Sequence, residues 1–239
     1  RWPTHEVGRN ADFFDPAAGK IVKAASNLVF NSMHLHANGA HTRAHLKVGF
    51  KFHPLGYEPT LKWVRMSFGN GVDLDIEAMD SDQQMDAYFT LPEHARITIF
   101  EPHMHAPGVR MCLEAIWGHT VQTLNCAGYD HSWVRVYTYE DDAAPLLPKG
   151  TTLRITGYFN NSPSNPNVPD PRNWSGGGHR SVDQMFINLM RGIYMTDEQF
   201  AEEVINRREA LNLIKGETVI GCPLCGADPM STDTAEGQQ

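Results

Sequence analysis

Short runs in which apolar and polar residues alternate dominate the chain, and they predict strands rather than helices. The clearest lie at 44–52, 61–68, 85–91, 133–139 and 151–159, each bounded by Gly, Pro, Asn or Asp. Residues 27–36 add another strand-like run, closed by the turn pair Asn38 and Gly39. Residues 110–117 and 120–126 read as a hairpin with its turn centred near His119, which puts Cys112 opposite Cys126. An apolar run from Ile97 to Phe100 leads into Glu101-Pro102-His103-Met104-His105, and 182–190 is an apolar return strand carrying Met185. One helix is predicted, late in the chain. Thr196 and Gln199 form a capping box, Phe200, Val204, Leu211 and Ile214 keep helical spacing, and Gly216 is placed as the stop. The pattern predicts an all-β, antiparallel jelly-roll or β-sandwich architecture with a C-terminal helix. The expected divisions are a partial N-terminal region at 1–92, a C-terminal jelly roll at 93–192, and a helix and CxxC tail at 193–239.

Composition narrows the function. The chain has 239 residues, a net charge of −8 and no cluster of Lys and Arg, which argues against a nucleic-acid partner. No apolar run reaches the length of a membrane-spanning helix. The chain opens at Arg1 without a signal-like segment, as expected of a trimmed product or of part of a longer precursor. Twelve His and ten Met favour a metal with a taste for imidazole and thioether, and copper in its reduced form is such a metal. The competing explanation is Met as core filler and His on wetted strand faces.

Candidate ligands follow from spacing. In a strand, alternate side chains share a face, so His103 and His105 stand together and make half of a metal shell. His34 and His36 repeat that spacing, and His41, His45 and His53 crowd the same region. Cys112 and Cys126 are candidates for a cross-strand disulfide, which implies an oxidising compartment, periplasmic or extracellular. Cys222-Pro223-Leu224-Cys225 is a single knuckle able to hold a second metal if other ligands complete it, or to close as a local disulfide. His131 reads as a packed hairpin histidine, or as a group near the metal.

The order of three motifs is more specific than any one of them. His103-Met104-His105-Ala106-Pro107-Gly108 is followed by a hairpin, by Asn160-Asn161-Ser162-Pro163-Ser164-Asn165-Pro166-Asn167, and by Ser181-Val182-Asp183-Gln184-Met185. Over roughly residues 27 to 190 this order resembles the copper type II, ascorbate-dependent monooxygenases, the family of the peptidylglycine α-hydroxylating and dopamine β-monooxygenases, and its bacterial relatives most of all. The resemblance implies one copper on His103, His105 and Met185. It implies a second, on three histidines of an N-terminal domain, of which His34 matches the last and His36 is a weaker match. The family's other two ligands at that site are an adjacent His pair, and no His-His dipeptide occurs here.

Three functions therefore compete. One is copper-dependent C–H hydroxylation of a small molecule by dioxygen, provided both coppers are present. Another is a non-catalytic copper-binding or structural subunit of a larger extracytoplasmic assembly, with a protein partner or a further N-terminal portion covering its open edges. The last is a metal-free carbohydrate-binding or adhesive jelly roll using Trp117, Trp133 and Trp174.

Overall fold

In the computed structural model, residues 9–30 and 39–227 are described. His34 and His36 lie outside them. Two antiparallel sheets share one core. The first runs β1 (Lys62–Arg65), β14 (Arg191–Met195), β5 (His94–Phe100) and β10 (Leu146–Leu147), with β9 (Tyr137–Thr138) also on β5. The second runs β4 (Gln83–Thr90), β11 (Thr152–Phe159), β7 (Gly108–Trp117) and β8 (Thr120–Gly128). Between them alternate side chains meet: Met111, Leu113 and Ala115 of β7, Leu153 and Ile155 of β11, Ala95 and Ile97 of β5, all buried. Period-2 burial on facing sheets is what makes a sandwich, and the all-β expectation holds.

A smaller sheet positions the chemistry. It pairs β2 (Phe68–Gly69) with β13 (Phe186–Asn188), and β13 with β6 (Pro102–Met104). A two-stranded piece joins β3 (Asp75–Ile76) to β12 (Ser175–Gly176).

The hairpin β7–β8 has the predicted register. Cys112 stands opposite Cys126 and the two form a disulfide. Gly118, at φ 57°, makes the turn. The helix α1 (Asp197–Ala210) also starts where predicted, with Thr196 as N-cap and Gln199 closing the capping box. Its Phe200 and Arg207 are buried, and Arg207 donates to the carbonyls of Ala144 at 3.0 Å and Asp141 at 2.6 Å. Arg96 ties three elements together, reaching Glu203 of α1 at 2.7 Å and Asp15 of the N-terminal segment from its place on β5.

Four expectations need correction. Residues 44–52 alternate cleanly yet carry no strand, and Leu46, Val48 and Phe52 are exposed. Alternation makes a strand only when a neighbouring strand completes the ladder, and none of the described strands pairs there. Residues 133–139 contribute only β9, because an Asx turn at Asp130 carries the chain away from the sheet first. The helix ends at Ala210, well before Gly216. Asn212, at φ 52°, takes the left-handed conformation there, a role asparagine tolerates. Finally β14 was not foreseen, since Arg191 and Gly192 open it and neither reads as a strand residue.

No described helix is long and apolar enough to cross a membrane. The N-terminal segment packs onto the body through Ala18, which is buried with Leu146, Ile193, Met195 and Phe200.

Candidate metal centre

The register of β6 against β13 decides which side chains share a face. Phe186 stands opposite Met104 and Ile187 opposite His103. His105 and Met185 are the next residues beyond the ends of these two strands. Residues two apart on one strand point to the same side. His103 and His105 therefore share a face, while Met104 between them is fully buried in the core. The rings of His103 and His105 are 5.5 Å apart, centre to centre, at 75° to each other.

His105 is held in one orientation. Its Nδ1 is 3.0 Å from the carbonyl oxygen of Asp183. A carbonyl can only accept, so Nδ1 carries the proton and donates, leaving the Nε2 lone pair for a metal. Burial pushes the His105 imidazole down to about 4, and the neighbouring His103 adds to this. The backbone carbonyls of Asp183 and Arg180 oppose the shift, and His131 adds a little to it. At neutral pH the ring is thus uncharged, the form that binds metal.

The turn after His105 is built to fit. Gly108 N–H donates to the His105 carbonyl at 2.8 Å, and Asn165 Nδ2 donates to the carbonyls of Ala106 at 3.1 Å and Asn160 at 2.9 Å. A Cβ on Gly108 would sit 2.6 Å from Met104 Cβ, so only glycine allows this approach. The Asn/Pro loop thus braces the histidine turn through Asn165, a concrete role for one of the residues that carried the family resemblance.

Just before the pair, Glu101 is fully buried and salt-bridged. Arg191 of β14 donates to it at 2.6 Å and Arg9 at 3.1 Å, and Asp12 accepts from Arg191 at 2.8 Å and also pairs with Arg9. Burial, with Arg191 close by, lowers the Arg9 guanidinium to about 10. The N-terminal segment is therefore locked to the strand that bears the histidines. Nothing in the sequence marked these four residues. Glu101 and Arg191 read as surface charges, and the long-range partner of each lies some ninety residues away.

A third imidazole stands beside the pair. His131 has its ring 6.2 Å from that of His105. It sits in the turn after β8, where Tyr129 donates its hydroxyl to the Met104 carbonyl. Among the described residues, however, no three of His, Cys, Asp and Glu already stand close enough to hold a metal as one group. The donor set that fits copper is two imidazoles and a thioether. The structure brings together the rings of His103 and His105, and Met185 immediately precedes β13, the strand paired with β6. It leaves His41 and His45 exposed, and it stacks His53 on Tyr57, ring centres 3.8 Å apart.

The CxxC knuckle is closed on itself. Cys222 and Cys225 form a disulfide and are buried beside Leu146 and Phe200. Of the outcomes open at the knuckle, the local disulfide is the one present, so its sulfurs do not stand as thiolate ligands for the second metal the motif suggested.

A cleft of about 350 Å³ opens beside the histidine turn, lined among others by Ala106, Pro107, Asn161, Trp174, Arg180 and Gln184. Gln184 is almost wholly buried and donates to Ser175 Oγ at 2.8 Å. A larger hollow of about 710 Å³ runs along α1 at Ile205, Arg208 and Leu213 and includes none of the candidate ligands.

Compared with models of known protein families and with curated proteins, the chain matches none.

Proposed function

We propose that the chain is a copper-binding, monooxygenase-like protein whose copper is held by His103, His105 and Met185. The observation that carries this is the β6–β13 pairing, which runs the segment carrying Met185 alongside the segment carrying His103 and His105. Two imidazoles and a thioether are a donor set that suits copper in both oxidation states. Bound there, copper would supply activation of dioxygen for hydroxylation of a C–H bond, with electrons delivered from a second copper to which His34, and more weakly His36, would contribute.

The chain's own residues have plain tasks in this reading. The Asp183 carbonyl fixes the His105 tautomer. Gly108 and Asn165 set the turn. The cleft at Trp174, Arg180 and Gln184 receives a small-molecule substrate close to the metal face. Two disulfides support an oxidising compartment, periplasmic or extracellular.

One observation favours a second reading, that of a copper-binding or structural subunit in a larger extracytoplasmic assembly. Leu46, Val48, Phe52 and Leu55 are exposed apolar side chains in one stretch of chain, which a partner would cover. The two readings separate in one experiment on the full chain. A monooxygenase holds two coppers per particle and consumes oxygen with ascorbate in a substrate-dependent way. One copper per chain and no oxygen uptake would leave only the subunit reading, and no copper at all would remove the monooxygenase and leave a purely structural subunit.

A further inference from the structure

We infer that residues 43–53 of one chain add as a strand to the outer edge of β4 in a second copy of this chain, in a reciprocal pair. The inference stands apart from the copper reading and rests on the subunit reading, whose partner it names.

Charge is the first observation. From Pro16 to Tyr57 the chain carries Lys20, Lys23, Arg43, Lys47 and Lys51 and no Asp or Glu. From Met66 to Pro92 it carries Asp73, Asp75, Glu77, Asp80, Asp82 and Asp86 and no Lys or Arg. Arg43, Lys47 and Lys51 are exposed, and so are Asp82 and Asp86. Within one chain, no salt bridge among the described residues takes up Arg43, Lys47, Lys51 or Asp82. A basic run and an acidic run on the same chain attract between copies, and salt screens that attraction.

Alternation is the second observation. Across 43–53 the even positions are Ala44, Leu46, Val48, Phe50 and Phe52, and Arg43, His45, Lys47, Lys51 and His53 fall on odd ones. Extended, the run has one apolar face and one basic face. None of the described strands pairs with it, and Leu46, Val48 and Phe52 are exposed.

The edge of β4 is the third. Among the described strands β11 is the only ladder partner of β4, so β4 ends its sheet and its outward backbone groups form an open template. Met85 and Phe89 point to the core side with Ala87 yet are half-buried, while Gln84, Asp86 and Tyr88 are exposed on the other face. A strand laid along this edge with its apolar face inward covers Met85 and Phe89, and its basic face falls beside Asp86. The run is long enough to follow all 8 residues of β4. Within one chain the run and the edge are not paired. The root of the arm is tied to the N-terminal segment, where the Tyr57 hydroxyl donates to the Pro16 carbonyl at 2.6 Å and Leu61 N–H to the Ala17 carbonyl at 2.9 Å. Every chain carries both halves of the contact, so exchange between two copies makes it twice and closes the pair.

The test is sedimentation equilibrium of the full chain at low and high ionic strength, beside two double variants, Lys47→Glu with Lys51→Glu and Asp82→Lys with Gln84→Lys. All four side chains are exposed, and circular dichroism establishes that the variants fold. The expected result is a wild-type dimer whose dissociation constant rises at least tenfold from low to high salt. Each variant alone is expected to be monomeric where the wild type is dimeric. An equimolar mixture of the two variants is expected to be dimeric again, because each mixed contact joins opposite charges. A carbodiimide, which joins touching amines and carboxylates, is expected to link Lys47 or Lys51 to Asp82 or Asp86 between unlabelled and isotope-labelled wild-type chains. A monomeric wild type overturns the inference and leaves standing both the copper reading and a subunit with a different protein partner. A dimer that both variants leave intact, a mixture that stays monomeric, or links confined to one isotope also overturns it. Should a variant not fold, the crosslinks decide.

Discussion

Gly108 shows how closely a single position is specified. Its missing side chain is what lets the turn after His105 lie against Met104, whose Cε and Sδ would be 2.9 and 3.0 Å from an added Cβ. Replacing it with Ala forces Met104 off its packing in the core. Gly108→Ala is expected to cost about 1 to 3 kcal/mol of stability by chemical denaturation, and to weaken copper binding because the His105 turn shifts. An unchanged midpoint would show that Met104 relaxes freely. Glu101 is the other residue on which much depends. Glu101→Gln leaves Arg191 and Arg9 buried with half their counter-charge gone, and unpaired buried charge is costly. The expected loss is about 3 kcal/mol by the same measurement, with freer proteolysis near Arg9. The histidine pair itself was legible from spacing alone. Glu101, Arg9, Asp12 and Arg191 were not, because a charged residue read singly looks like surface, and only a fold shows that charges from three distant segments close on one another.

At the level of elements, the sequence was most informative where chemistry is local. The capping box of α1 is contained in four successive residues, and the hairpin register follows from one turn and two cysteines. Thr196→Ala is expected to remove about 1 kcal/mol, seen as a lower thermal midpoint, because the Gln199 N–H loses its 3.2 Å acceptor. The Cys112–Cys126 disulfide closes a loop of 14 residues' separation, so a Cys112→Ser, Cys126→Ser double variant should be less stable by about 3 kcal/mol. No change in midpoint would mean that the hairpin is already held by its ladder. Elements that depend on a distant partner were harder to read. The run 44–52 has a strand's alternation without a strand's neighbour, and β14 has a neighbour on each side without a strand's composition. The return strand at 182–190 shortened to β13, because Asp183 and Gln184 spend their backbone and side-chain bonds on the histidine turn and the Ser175 region instead of a ladder. Met185 was assigned to the site by motif order, and it lies immediately before β13, the strand that pairs with β6.

The molecule as a whole joins a dense sandwich to an extended, exposed arm. The sandwich core is continuous from β4 to β14, while Leu46, Val48, Phe52 and Leu55 face solvent. In the isolated chain, limited trypsin is expected to cut at Arg43, Lys47 or Lys51 before any site within the sheets, as mass spectrometry of early fragments would show. Protection of those sites from the outset would mean that the arm is already covered, by a second copy or by another part of the chain. The proposed copper site lies on the well-packed side of this division, at β6 and β13 and the loops they brace, so it should survive trimming of the arm. The measurement that tests the central claim most directly is X-ray absorption of the copper-loaded full chain in its reduced form, beside Met185→Ala. The account predicts imidazole nitrogens together with one sulfur neighbour in the wild type, and loss of that sulfur in the variant. Copper that shows no sulfur neighbour, or a chain that takes up no copper, would contradict it.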